Sequence, residues 1–398
     1  MLGAGCSVPD AMCDVRWAFY RVAIYSAAVS LTSGVTRVTV LILVLAVEFA
    51  LLEVGMRAVG GSEAAPAFQK IFMQDPLVGH RLQPNARTVY STVEFSTPLA
   101  INPQGVRDDR SLGAKRPGQR RIVVLGDSLV LSVQVPLQEA FTSVLERDLA
   151  EAAPEIDWQV VNAGVQGYGP VDDWLFYRHV VDALDPDLVL IVAFVANDAT
   201  EAFDKASWLV DDRPPVVGAG EAAVTATRRI VRASMVLQNL RLRWDQVKAA
   251  ATDPGAERPL ASYLAEPSVE VSQGLELTRE AFGRIASRAS ARGAGTALVL
   301  MPARFQLDDA DYGRLNSGVT AAGHVLLRHA ATDRFRTALT PLGLPMLDLL
   351  PVLQAQDHPA DLFFQRNIHL TPRGHAVVGH ALRDFVLARF NASQAPAR

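Results

Sequence analysis

Cysteine is almost missing from this 398-residue chain. Its two copies, Cys6 and Cys13, both precede the main apolar run, so the remainder carries neither a disulfide framework nor a thiolate metal site. Charge of one sign is lacking as well: 38 basic residues face 42 acidic ones, and that balance gives no electrostatic footprint for nucleic acid. No clustered His/Asp set stands at metal-ligand spacing, which leaves metal-assisted phosphodiester hydrolysis without support. Nothing asks for a cofactor. Internal repeats and low-complexity tracts are absent too, so solenoids and disordered arrays drop out.

What is present begins with one long apolar run, Val35–Arg57. Between Arg37 and Glu53 it is broken only by Thr39 and Glu48. A dozen large aliphatic residues favour membrane insertion by on the order of −5 kcal/mol, even after the cost of one acid is charged against them. The span is near the shortest that crosses a bilayer. A buried soluble helix is the alternative. A cleaved signal peptide fits less well, because the small-x-small piece Ala65-Pro66-Ala67 lies too far beyond Leu52. Arg16, Arg21 and Arg37 precede the run, which by the positive-inside rule keeps residues 1–34 in the cytoplasm and exports the rest. The expected place is therefore the cytoplasmic membrane, single-pass through residues 35–57, with the folded domain on the extracytoplasmic side.

Residues 58–118 are rich in Pro, Gly, Asn and Arg and hold short alternating pieces such as Thr88–Phe95. They read as an extended segment with a few strands, packed on the domain that follows. From Arg121 the rhythm changes. Strands are expected at Ile122–Leu125, Trp158–Val161, Leu188–Val195, Thr296–Met301 and Met346–Leu349. Helices are expected through Phe141, Val144, Leu145 and Leu149, then at Asp172–Leu184, Leu275–Arg292 and from Thr371-Pro372 to about Phe390. Strands alternating with helices at this spacing mean an α/β domain on a mostly parallel sheet. It is expected over residues 119–392, interrupted by an insertion at 200–267. That insertion holds a Pro/Gly-rich loop and a basic amphipathic helix from about Thr227 to Ala250, which suits a lid, a membrane contact or an ordinary solvated face.

In open parallel sheets, ligands bind outside the carboxyl ends of the strands. Gly126-Asp127-Ser128 ends the first strand, Asn162-Ala163-Gly164-Val165-Gln166-Gly167 the second, and Asn197-Asp198 the third. His369 precedes the last helix. Each piece alone reads as a turn, a helix cap or a structural histidine. Their order is what counts: a nucleophile, a glycine, an asparagine and a histidine, each after a successive strand or before the final helix.

These blocks resemble those of the SGNH/GDSL hydrolase superfamily. The similarity runs from about Asp75 to Phe390 and is nearest to a membrane-anchored bacterial branch, on the segment Ile101-Asn102-Pro103-Gln104-Gly105-Val106-Arg107-Asp108 and the piece Met301-Pro302-Ala303-Arg304-Phe305-Gln306. The resemblance implies a three-layer, flavodoxin-like α/β fold with helices on both faces of the sheet. It makes Ser128 the nucleophile and His369 its general base. The backbone N–H groups of Ser128 and Gly167, with the Asn197 side chain, would form the oxyanion hole. A serine hydroxyl does need a base within hydrogen-bond reach, and a tetrahedral intermediate needs donors aimed at its oxygen.

Two departures stand out. The family usually has an Asp three or two residues before the catalytic His, where this chain has Arg366 and Asn367. Asn367 would orient the ring without supplying charge; the alternatives are Asp361 swinging in from the preceding loop, or a site that works as a dyad. Ser132 and Gln134 replace glycines that the branch often carries after the nucleophile. His375 and His380 read as packing or surface residues. The leading expectation is hydrolysis of a short acyl or O-acetyl ester, on a small molecule, glycan or lipid, through an acyl-serine intermediate. The alternatives are O-acyl transfer to an exported polysaccharide and a catalytically silent binding domain.

Overall fold

A computed structural model describes residues 34–59, 68–215, 234, 236–237 and 258–394. The chain divides into two compact units, one of residues 1–62 and 225–244 and the other of 63–224 and 245–398. In the first, helix α1 (Gly34–Val59) contains eighteen residues, Val38–Gly55, long and apolar enough to cross a membrane. Most Leu, Ile and Val side chains within Val38–Gly55 stand exposed rather than packed, which argues against the buried soluble helix. Within the same unit, the Glu53 carboxylate accepts from Ser234 Oγ at 2.8 Å. Apart from Ser234, Val236 and Leu237, the amphipathic helix expected at Thr227–Ala250 lies outside the described residues.

The second unit opens with two antiparallel hairpins, β1 (Phe72–Asp75) with β2 (Gly79–Leu82) and β3 (Arg87–Ser91) with β4 (Ser96–Ala100). The alternating piece at Thr88–Phe95 is therefore a strand only to Ser91. Thr92 turns the chain, its Oγ1 accepting from Glu94 N and Phe95 N. The five-stranded parallel sheet follows: β5 (Gln119–Gly126), β6 (Asp157–Gly164), β7 (Leu188–Phe194), β8 (Gly295–Met301) and β9 (Met346–Asp348), in the order β6-β5-β7-β8-β9. Central β7 is buried along its whole length, as a strand covered on both faces must be. Each of its large aliphatic side chains contributes roughly 1.5–3 kcal/mol of burial.

Helices α2 (Ser128–Leu131), α3 (Phe141–Ala152), α4 (Pro170–His179), α5 (Asp198–Asp204), α6 (Ala206–Asp211), α7 (Arg258–Ala261), α8 (Val269–Ala291), α9 (Asp309–Ala321), α10 (Ala330–Leu339), α11 (Leu349–Gln354) and α12 (Pro372–Gln394) complete the chain. Helix α3 packs on α12, while α8 packs on α4 and α5. The result is a three-layer α/β fold, a parallel sheet flanked by helices.

Boundaries move where a cap or a neighbour decides them. The helix expected at Asp172–Leu184 breaks after His179 into a 3-10 turn, Val181–Leu184, and starts earlier because Pro170 suits a first turn. Helix α8 starts at Val269 rather than Leu275, since Ser268 Oγ accepts from Val271 N at 3.3 Å. Strand β6 runs past Val161 to Gly164 by pairing with β5 as far as Gly126. Leu349 belongs to α11 rather than β9, with Asp348 accepting from Leu350 N at 2.9 Å. Thr371 Oγ1 accepts from Gly374 N at 3.3 Å and so caps α12 as its sequence suggests.

Candidate active site

Strand order reverses between β5 and β7, and the chemistry-bearing residues gather at the carboxyl ends there. Gly126 closes β5 at φ +150°, and a Cβ on it would sit 2.7 Å from Val130 Cγ2 and 3.0 Å from Val192 O. Only glycine allows the chain to turn so tightly between the sheet and α2. Asp127 caps that helix, accepting from Leu129 N at 2.8 Å, and Ser128 is its first residue. Burial pushes the Asp127 carboxyl up to about 7.

His369 arrives from the far end of the sequence. Its Nε2 lies 2.8 Å from Ser128 Oγ, and both residues are 8% exposed, so the pair is screened but not sealed. On the other side of the ring, Nδ1 meets Asn367 Oδ1, which also accepts from His369 N at 3.1 Å. An amide oxygen can only accept. It therefore fixes the tautomer with the proton on Nδ1 and leaves Nε2 bare toward the serine. Burial lowers the imidazole to about 4, and among the described residues no carboxylate hydrogen-bonds the ring. Asp361 sits exposed in the 3-10 turn Pro359–Leu362, joined to Thr371 Oγ1 through its carbonyl; of the two expected orienters, only Asn367 reaches the ring.

The loop bearing His369 is itself held. Arg304 Nη1 donates to Phe364 O at 3.1 Å and also to Gln365 O. Glu94 Oε1 accepts from Arg366 N at 3.0 Å. Sequence reading singled out the segment carrying Arg304 without assigning it a task; its long reach to a loop sixty residues away leaves no local pattern.

After β6, Val165 N donates to Gly126 O at 3.0 Å, which sets this loop beside the serine turn. Gly167 follows at φ +74°, exposed. Asn197 ends the loop after β7, but its side chain does not cap α5. Nδ2 donates instead to Glu201 Oε1 at 2.7 Å. Glu201 escaped sequence reading; its spacing of one helical turn from Asn197 was the signal available.

The departures after the serine have plain physical reasons. Ser132 occupies φ +57°, ψ +36°, the left-handed conformation that favours glycine, and its Oγ donates to Leu129 O and Val130 O at 2.8 Å each. Gln134 is buried and its carbonyl accepts from Thr97 Oγ1 at 3.1 Å, tying the β3–β4 hairpin to the turn. His375 is buried against Phe141, whose N–H it accepts at 3.3 Å, and exposed His380 pairs with Asp148. Both are packing and surface residues.

A family model described as the GDSL-like lipase/acylhydrolase family matches residues 124–377, well over half of the chain. The chain belongs to that family. It is thus a GDSL hydrolase acting on ester bonds. Among curated proteins none matches it. Similar solved structures include LAE5, an alpha/beta hydrolase enzyme from the metagenome of Lake Arreo, Spain, with 15% identity over 67% of this chain and 94% of that one, TM-score 0.38. A lipase/acylhydrolase from Enterococcus faecalis shows 14% identity over 68% and 96%, TM-score 0.38. The acetyl xylan esterase AlAXEase shows 12% over 67% and 99%, TM-score 0.38. At such similarity this GDSL hydrolase inherits no substrate from them.

Proposed function

We propose that this hydrolase cleaves a short acyl or O-acetyl ester, on a carbohydrate or lipid, through an acyl-serine intermediate. Ser128 Oγ attacks the ester carbonyl while His369 Nε2 takes its proton. The same nitrogen then returns the proton to the leaving alkoxide, and water repeats the sequence to free the acid. Ser128 N–H, Gly167 N–H and Asn197 Nδ2 stabilise the oxyanion. The observation that carries this reading is the 2.8 Å contact between Ser128 Oγ and His369 Nε2, with Asn367 behind the ring.

The domain reading belongs to the same proposal: a catalytic domain at 119–392 with an insertion at 200–267, tethered through residues 35–57 to the cytoplasmic membrane as in the membrane-anchored branch. The mostly exposed apolar stretch Val38–Gly55 in α1 supports the tether, and export of the domain follows from the preceding arginines.

The test is turnover of p-nitrophenyl acetate by the full-length chain in mild detergent. Ser128→Ala is expected to lower kcat at least about a thousandfold, since loss of a triad member leaves only the oxyanion hole and binding. Turnover unchanged by that substitution, or absent from the wild type, overturns the reading.

A further inference from the structure

Between the two loops that carry the oxyanion donors lies a carboxyl group with no part in the scheme above. Glu201 stands one helical turn after Asn197 on α5. Its Oε1 accepts from Asn197 Nδ2 at 2.7 Å, while its Oε2 is closed to solvent and unpartnered. A Cβ on Gly169 would sit 2.8 Å from both Glu201 Cβ and Oε2. Glu201 therefore packs against Gly169, two residues beyond Gly167 on one loop, while it bonds Asn197 on the other.

The charges around it are mostly negative. Asp127 before α2, Asp172 and Asp173 of α4, and Asp198 of α5 face Glu201. Lys205, itself bonded to Asp172 Oδ2, is the cation among them. Helix α8 meets α5 at the small pair Gly274 and Ala199.

We propose that Glu201 is the positioning residue of the oxyanion hole. It holds one hydrogen of Asn197 Nδ2 so that the second stays aimed at the developing oxyanion. This rests on Asn197 being an oxyanion donor. A primary amide has two N–H bonds, and tethering one fixes the direction of the other. Preorganised donors act without reorganisation at the moment of reaction. An ionised carboxylate on the same amide would instead place negative charge near the oxyanion in a water-poor site and oppose its formation. Burial, reinforced by Asp127 and Asp172 and opposed by Lys205 and by the Asn197 hydrogen bond itself, pushes Glu201 up to about 8, so the neutral form prevails at neutral pH. Activity is then lost on the acid side as His369 takes a proton near 4. On the alkaline side it is lost as Glu201 ionises near 8.

Full-length wild type, Glu201→Gln, Glu201→Ala, Asn197→Ala and Ser128→Ala are compared on p-nitrophenyl acetate from pH 5 to 9.5, corrected for spontaneous hydrolysis. Glu201→Gln keeps the tether and cannot ionise. It should stay within about threefold of wild-type kcat at pH 7 and lose the alkaline fall. Glu201→Ala frees the amide and should lower kcat about tenfold or more with KM nearly unchanged, a partial version of the loss in Asn197→Ala. An alkaline limb that persists in Glu201→Gln overturns the proposal. So does a wild type with no such limb, an unchanged kcat in Glu201→Ala, or a loss in Glu201→Ala that Glu201→Gln shares. If Ser128→Ala and Asn197→Ala abolish activity while Glu201→Gln keeps the wild-type profile, the role of Glu201 alone falls. Turnover that survives Ser128→Ala, or that every protein lacks, removes the underlying hydrolytic reading and this proposal with it.

Discussion

Asn367 puts the single most unusual residue of the site behind its base. A carboxylate there would stabilise the imidazolium that forms as the serine gives up its proton; an amide oxygen offers orientation and a partial charge only. With the ring lowered to about 4 by burial, His369 is a weak base whose cation is poorly supported. Asn367→Asp restores a full negative charge at the Nδ1 position and should raise kcat on p-nitrophenyl acetate about tenfold or more. The acid limb of the pH profile should move upward, because a neighbouring anion favours the protonated ring. A profile unmoved by the substitution would mean that Asp at 367 does not face Nδ1. Of the residues expected from sequence, Ser128 and His369 are brought within hydrogen-bond distance, and their spacing around strand ends made them legible. Asp361 and Asn367 are indistinguishable in sequence, because loop geometry decides which side chain reaches a ring. Glu201 was harder to read: its one-turn spacing from Asn197 was the single signal, and one of three acids on a short helix looks like any solvated residue until its partner is known.

At the scale of elements, strands were the most readable, since β-branched runs such as Ile122–Leu125 are buried on both faces and tolerate little else. The connection between the N-terminal segment and the catalytic turn was not readable, because it runs through isolated buried side chains, Thr97 and above all Arg107. Arg107 lies fully buried, with Nη1 donating to Leu131 O at 2.7 Å and Ser132 O at 2.5 Å, and Nη2 to Val135 O at 2.6 Å. Its backbone N–H meets Asn162 O at 3.2 Å, so one residue joins the segment before β5, the end of β6 and the turn after α2. Burial lowers the guanidinium to about 10, which leaves it charged at neutral pH. Arg107→Met keeps much of the volume but strands three carbonyls, each costing roughly 1–3 kcal/mol when buried unpaired. A loss of about 3 kcal/mol or more in a urea titration is expected, with kcat falling as the serine turn loosens. A stability change under about 1 kcal/mol would show that water replaces the guanidinium at little cost.

Across the whole molecule, buried acids and buried histidines pull stability in opposite directions as pH changes. Asp127 is pushed up to about 7 and Glu201 to about 8, and Asp173 and Asp198 are raised well above the ordinary carboxylate range, in each case chiefly by burial. From near pH 4 upward the native state therefore holds protons that the unfolded chain has released, and stability falls as pH rises through the native values. His369 and His375, lowered by burial to about 4 and about 3, act the other way. Between those values and the ordinary 6.5 the unfolded chain binds protons that the native state refuses, so stability rises with pH across that interval. Below 6.5 the two effects oppose each other. Above 6.5 the histidine contribution is complete and the carboxylate loss stands alone, up to the value of Glu201 and beyond. The thermal midpoint of the full-length chain, followed by circular dichroism in mild detergent, should accordingly drop between pH 6.5 and 8.5. Glu201→Gln removes one of the groups responsible and should drop less over the same interval. A midpoint that holds level or climbs from 6.5 to 8.5 would mean that these carboxyls are already ionised at neutral pH, and that cations such as Lys205 compensate their burial.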